Sequence, residues 1–199
     1  MRFALGLAEN GRFTTAPNPM VGAIVVNDGR IVGQGWHKQA GGPHAERVAL
    51  ADAGIEAHGA TIYVTLEPCS HTGRTGPCTE AILEAGISRV VIGASDPNPK
   101  AAGGAEVLRN AGLDVVTGVL KEECEALNRD FLDRIRNRRP FVTMKIAMTA
   151  DGHTSTASGA SKWITGEESR KHVHEDRGRS AVILTGVGTV FADNPALTC

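Results

Sequence analysis

Four residues combine types and spacing that suggest chemistry: His44, Glu46, Cys69 and Cys78. One imidazole and two thiolates are borderline-to-soft donors, the set that suits Zn²⁺. Three protein ligands leave the fourth tetrahedral position to water, which separates a catalytic zinc from a closed structural one. Water on such a zinc loses its proton near neutral pH and becomes a nucleophile. Glu46 lies two residues beyond His44. At a helix start that offset can aim a carboxylate at the metal's water without making it a ligand, a position suited to moving protons. Singly, each residue reads as an ordinary core or surface side chain. Together they form a pattern: His-x-Glu after Pro43, Pro68-Cys69 at a strand end, and Cys78 at a helix start. A closed Cys₂His₂ structural site, with His37 or His71 as fourth ligand, is the alternative.

The elements that must position these residues follow from periodicity and punctuation. A helix is predicted over residues 2–10, stopped by Gly11. Pro17 and Pro19 flank Asn18 and hold it extended. Strands at 21–26 and 30–36 pair through an Asp28-Gly29 turn. A helix opens at Pro43-His44-Ala45-Glu46 and runs to about Ala53. A strand at 61–66 precedes Pro68-Cys69. A helix at 78–85 places Cys78 where the dipole favours a thiolate. A strand at 89–94, a helix at 104–111 and a short strand at 113–117 follow. Alternation of this kind argues a three-layer α/β fold, and the opening hairpin makes its sheet mixed. A longer helix is predicted over 121–135. The charged segment 136–140, ending in Pro140, marks a domain boundary. Beyond it lie predicted strands at 141–148 and 181–185 and a helix at 167–179. This stretch of roughly 60 residues is short for an independent α/β domain.

Composition narrows the classes. The chain has 199 residues, 41% of them hydrophobic, with 24 glycines, as in ordinary globular proteins. No apolar run approaches the ~18 residues of a membrane helix. The first apolar stretch is short and broken by Glu9, unlike a signal peptide, so a cytoplasmic protein is expected. There are 21 basic and 22 acidic residues, without the basic excess of a nucleic-acid binder. The four cysteines, Cys69, Cys78, Cys124 and Cys199, are too few for a disulfide framework and enough for one metal site.

His44-Ala45-Glu46 and Pro68-Cys69 fit the His-x-Glu and Pro-Cys-x-x-Cys signature of zinc deaminases, except that the second cysteine comes nine residues after the first. The intervening Ser70 to Pro77 reads as a loop over the site. With Pro17-Asn18-Pro19-Met20-Val21-Gly22 and Asp96-Pro97-Asn98-Pro99, the run from Leu66 to Cys78 resembles the deaminase half of the bacterial bifunctional riboflavin biosynthesis deaminase–reductases. Lys145 to Gly152, Ser158 to Thr165 and Asp193 to Thr198 resemble the start of the reductase half.

The resemblance implies a cytidine-deaminase-like domain over 1–138, followed over 139–199 by the start of a dihydrofolate-reductase-like domain. It implies zinc-dependent deamination of 2,5-diamino-6-(5-phosphoribosylamino)pyrimidin-4(3H)-one, with one zinc per deaminase site. In the family, NADPH-dependent reduction of the ribosyl side chain of 5-amino-6-(5-phosphoribosylamino)uracil follows. By position, His44, Cys69 and Cys78 match the zinc ligands and Glu46 the proton shuttle. Asn18, His71, Thr72 and Arg74 match or adjoin the pyrimidine and phosphate positions. Ala147, Trp163, Thr189 and Asp193 match positions near the nicotinamide cofactor, and Ser161, Arg177 and Leu197 match reductase substrate positions. Gly76 stands where the family often has proline. The reductase region is much shorter than the family's, so deamination without reduction, and no tight hold on NADPH, are expected. The implied partner is a small pyrimidine ribosyl phosphate, with no nucleic acid and no membrane; a homo-oligomer stays open. Two other functions compete. One is a nucleic-acid adenosine deaminase of the same fold, disfavoured by the balanced charge and the long loop. The other is a non-enzymatic module stabilised by zinc.

Overall fold

The computed structural model describes residues 1–71 and 76–198. The chain divides into two compact units, Met1–Phe141 and Val142–Cys199.

The first unit is built on five strands: β1 (Gly22–Asn27), β2 (Arg30–Trp36), β3 (Thr61–Leu66), β4 (Arg89–Ala94) and β5 (Asp114–Thr117), in the order β2-β1-β3-β4-β5. β1 pairs antiparallel with β2 and β3, whereas β3–β4 and β4–β5 are parallel. The sheet is therefore mixed, as the sequence predicts. The β1–β2 turn is Asp28-Gly29, with φ of 47° and 74°, the two positive angles that a tight hairpin turn of this hand requires. β4 lies at the centre of the parallel part, and its residues from Val90 to Ala94 are all buried.

Helices cover both faces: α1 (Arg2–Ala8), α2 (Ala45–Ala53), α3 (Cys78–Glu84), α4 (Gly104–Asn110), α5 (Lys121–Leu127) and α6 (Arg129–Asn137). Side chains alternate across a strand, so the glycines show which helix lies on which face. Gly35 pairs with Ala23, and a Cβ on it would stand 2.5 Å from the Ala49 nitrogen of α2. Gly22, one residue before Ala23, faces the other way, against the backbone of α1 at Ala4. Gly93 faces Cys124 of α5. The main core lies on the α2 side. There Ala45, Ala49 and Ala53 of α2, Ile82 of α3 and Leu108 of α4 meet Val25, Ile62, Val64, Val90 and Ile92 of the sheet.

Three expectations are corrected. The helix predicted over 121–135 is two helices broken at Asn128, whose φ of −115° and ψ of 27° leave the helical range. Its side chain is engaged with Met20, far away in sequence. The strands predicted at 141–148 and 181–185 do not form. A strand exists only with a partner, and neither segment has one among the described residues. Val142, Met144, Val182 and Leu184 are correspondingly exposed.

The second unit carries α7 (Glu167–Arg179), at its predicted bounds, and α8 (Val187–Asp193). Neither helix has a buried residue. No described helix is long and apolar enough to cross a membrane.

Candidate metal centre

Two helix starts and one strand end converge on His44, Cys69 and Cys78. His44 is the residue before α2, extended at φ −73° and ψ 157°, so its ring projects from the mouth of the helix. Cys69 follows the end of β3 by way of buried Pro68. Cys78 is the first residue of α3, with extended Pro77 ahead of it. Proline suits that place because it has no N–H to leave unpaired. Arg47 of α2 donates to the carbonyls of Gly76 and Pro77 at 3.2 and 3.1 Å and so ties α2 to the start of α3.

His44 Nδ1 lies 3.2 Å from Cys78 Sγ and 3.5 Å from Cys69 Sγ. The Cys78 N–H donates to Cys69 Sγ at 3.4 Å, and the Thr79 N–H donates to the Cys69 carbonyl at 3.2 Å. The three donor atoms all lie within 4.8 Å of one another. Ligands held tetrahedrally at zinc distances stand about 3.5 Å apart, so this group fits the ion with little rearrangement. Its nitrogen and sulfurs favour zinc over magnesium or calcium. Cys69 and Cys78 are 8% and 0% exposed.

The Cys78 thiol donates to Cys69, which holds Cys69 down at about 4 and pushes Cys78 far up. His44 is raised, chiefly by its hydrogen bond with Cys69. Glu46, in the first turn of α2, is 3% exposed, and burial raises its carboxyl. The carboxyl lies against Cys78, outside the three-donor group.

Asn18 joins this neighbourhood through His37. His37 Nδ1 is 3.0 Å from the Pro43 carbonyl, and its Nε2 is 3.1 Å from Asn18 Nδ2. A carbonyl only accepts, so Nδ1 carries the proton and Nε2 accepts from the Asn18 amide. The His37 ring meets the His44 ring edge-on, with centroids 5.6 Å apart. Burial lowers the His37 pKa and keeps the ring neutral. Both its nitrogens are thus engaged outside the three-donor group, and His71 is exposed and also outside it. Sequence reasoning considered His37 only as a metal ligand and missed its bond to Asn18. It also missed Glu67, whose two oxygens accept the N–H groups of Asp96 at 3.2 Å and Ala105 at 3.0 Å. Glu67 thereby fixes the stretch just before Cys69; its only signal was its place beside Pro68-Cys69.

Thr72 and Arg74 lie outside the described residues. In the second unit, Lys162, next to Ser161 and Trp163, is 3.8 Å from Asp193. Arg177 donates at 2.6 Å to the carbonyl of Thr198, next to Leu197. Arg170 lies over the Trp163 ring at 4.3 Å. Ala147 is half-buried and Thr189 exposed. Among the described residues no hydrogen bond or ion pair joins the Lys162–Asp193 pair to the Arg177–Thr198 pair.

A family model of the cytidine and deoxycytidylate deaminase zinc-binding region matches residues 1–94, and one of the RibD C-terminal domain matches residues 140–199. The chain is 54% identical over 199 residues to the riboflavin biosynthesis protein RibD of Aquifex aeolicus, covering all of this chain and 56% of that one. It is similar to the solved diaminohydroxyphosphoribosylaminopyrimidine deaminase/5-amino-6-(5-phosphoribosylamino)uracil reductase of Thermotoga maritima. The TM-score is 0.95 and the identity 49%, over 100% of this chain and 58% of that one. It also resembles the Aspergillus oryzae Rib2 deaminase solved in complex with DARIPP, with a TM-score of 0.54 and 25% identity, over 68% of this chain and 91% of that one. The expected cytidine-deaminase-like fold stands.

Proposed function

The chain belongs to the RibD family of riboflavin biosynthesis proteins and spans about half the length of the curated relatives it matches, and from that premise we propose that it is a zinc-dependent deaminase of 2,5-diamino-6-(5-phosphoribosylamino)pyrimidin-4(3H)-one. The observation that carries this is a buried carboxyl group, Glu46, beside a group of three metal-binding donors, one short of the tetrahedral set. We assign residues 1–138 to this activity and residues 139–199 to the beginning of a reductase domain.

His44, Cys69 and Cys78 would hold one zinc. When bound, zinc supplies Lewis acidity and a water that ionises near neutral pH. Glu46 takes the proton of the attacking water. It passes that proton to the ring nitrogen, then takes the remaining hydroxyl proton and hands it to the departing amine, so that water and the C–NH₂ group become a carbonyl and ammonia. Its burial favours the protonated form, which suits a group that must donate as well as accept. Asn18 has its Nδ2 engaged by His37 and offers Oδ1 to a donor on the pyrimidine. His71, Thr72 and Arg74 take the ribosyl phosphate. The similarity to a Rib2 deaminase solved with DARIPP supports a free small-molecule substrate.

In the second unit, Ala147, Trp163, Thr189 and Asp193 belong to a site for NADPH, and Ser161, Arg177 and Leu197 to the reductase substrate. The support is the match to the RibD C-terminal domain.

The test is Glu46→Gln. The variant is expected to keep one zinc per chain and to lose about 10²–10⁴-fold in ammonia release from this substrate. Undiminished turnover would remove Glu46 from the chemistry, and loss of the metal would make it structural.

A further inference from the structure

We infer that Asn128, at the junction of α5 and α6, is a positioning residue for the proposed deamination: it clasps Met20 and so sets the Pro17-Asn18-Pro19 segment that presents the Asn18 amide. The inference rests on the deaminase function proposed above.

Asparagine at a helix N-cap normally turns its side chain onto the first free N–H groups of the helix. Asn128 occupies that place at the start of α6 and makes no such bond. Its Oδ1 accepts the Met20 N–H at 2.8 Å, and its Nδ2 donates to the Met20 carbonyl at 2.7 Å, across 108 residues of sequence. The residue is 4% exposed. The same side chain that could have capped α6 instead holds both polar groups of one distant residue.

Met20 is where such a clasp matters. Pro17 and Pro19 have no N–H, so the backbone around Asn18 has few groups by which it can be held. The Asn18 N–H donates to the Thr15 carbonyl at 2.8 Å. Met20 is the first residue after Pro19 with both a donor and an acceptor. Further along, the Val21 carbonyl accepts from the His37 N–H at 2.9 Å, and the Gly22 N–H donates to Thr65 Oγ1 at 3.1 Å. On the other side of Asn18, Arg134 of α6 donates to the Pro17 carbonyl at 3.0 Å. The segment is therefore held by Arg134 of α6 before Asn18 and by Asn128, just ahead of α6, after it, while His37 holds the Asn18 side chain. An amide displaced by an ångström presents its oxygen to the wrong place, and errors of that size cost on the order of 10²-fold in rate.

The experiment uses the zinc-loaded full chain and measures kcat and KM for ammonia release from the diaminopyrimidine ribosyl phosphate, with zinc content and thermal midpoint alongside. In Asn128→Ala, KM is expected to rise about tenfold or more while zinc stays at one per chain. In an Asn18→Ala background the same substitution is expected to change KM no further, because Asn128 acts through Asn18. Should Asn128→Ala fail to fold, Arg134→Ala removes an exposed side chain from the same segment; it is expected to raise KM by a smaller factor, again only when Asn18 is present. An unchanged KM in the folded variant overturns the inference, as does a KM increase that persists in full beside Asn18→Ala. A wild-type chain that releases no ammonia contradicts the deaminase function itself and removes the inference with it. A wild-type chain that is active while the variants match it contradicts the inference alone.

Discussion

At His44, Cys69 and Cys78, the protons that must leave before a dication binds set a pH dependence. Cys69, at about 4, is already a thiolate at neutral pH, whereas Cys78 is pushed far up and His44 is raised. Zinc must therefore displace the Cys78 proton throughout the neutral range, and the His44 proton wherever the pH is below that group's raised value. Each proton released makes affinity rise about tenfold per pH unit. Competition against a chelator at pH 6, 7 and 8 is expected to show zinc binding tightening at every step, and more steeply at the acid end. Affinity that does not change with pH would mean that the thiols are not the ligands. These donors were legible in the sequence because ligand chemistry is written in residue type: few side chains other than His and Cys can make this site. Asn18 and His37 were legible only in part. His37 works through a carbonyl of Pro43, which any residue would offer, and through an asparagine nineteen positions away. Neither contact leaves a mark in spacing.

The depth at which α2 lies on the sheet decides where His44 and Glu46 stand. Gly35 of β2 meets that helix directly: a Cβ there would be 2.5 Å from the Ala49 nitrogen and 2.6 Å from the Ala45 oxygen, both backbone atoms. Gly35→Ala must push α2 outward and carry the metal ligand with it. The expected result is a loss of about 1–3 kcal/mol in stability, with weaker zinc binding. Gly6→Ala in α1 is the control. Nothing lies within 4 Å of its added methyl, and alanine is the better helix former, so stability is expected to hold or rise. Thermal melts of the two variants check this; equal midpoints would mean that the sheet and α2 do not pack as described. Most elements could be read from pattern, and β2, β3, β4 and α7 have their predicted bounds. The break at Asn128 could not. Asparagine has ordinary helix propensity, and the residue that draws its side chain away is Met20, at the other end of the unit. The strands predicted at 141–148 and 181–185 had the right composition. Composition alone does not make a strand where no ladder partner is present.

The two units differ in what they bury. Met1–Phe141 encloses a continuous core around a five-stranded sheet and carries the metal centre between two of its helix starts. In Val142–Cys199, α7 and α8 bury nothing, and Leu184, Phe191 and Trp163 are 96%, 86% and 71% exposed. The proposed activity accordingly rests on the first unit. The fold class and the three-donor group of that unit are legible in residue type, period and spacing. The sparse packing of the second unit is not, because its segments have the composition of ordinary elements. The most direct test is a zinc titration of the metal-free chain with the diaminopyrimidine ribosyl phosphate as substrate and without NADPH, following ammonia. Release is expected to rise with added zinc, level off at one equivalent per chain and disappear with chelator. A folded chain that binds one equivalent of zinc and releases no ammonia would contradict the proposed deamination.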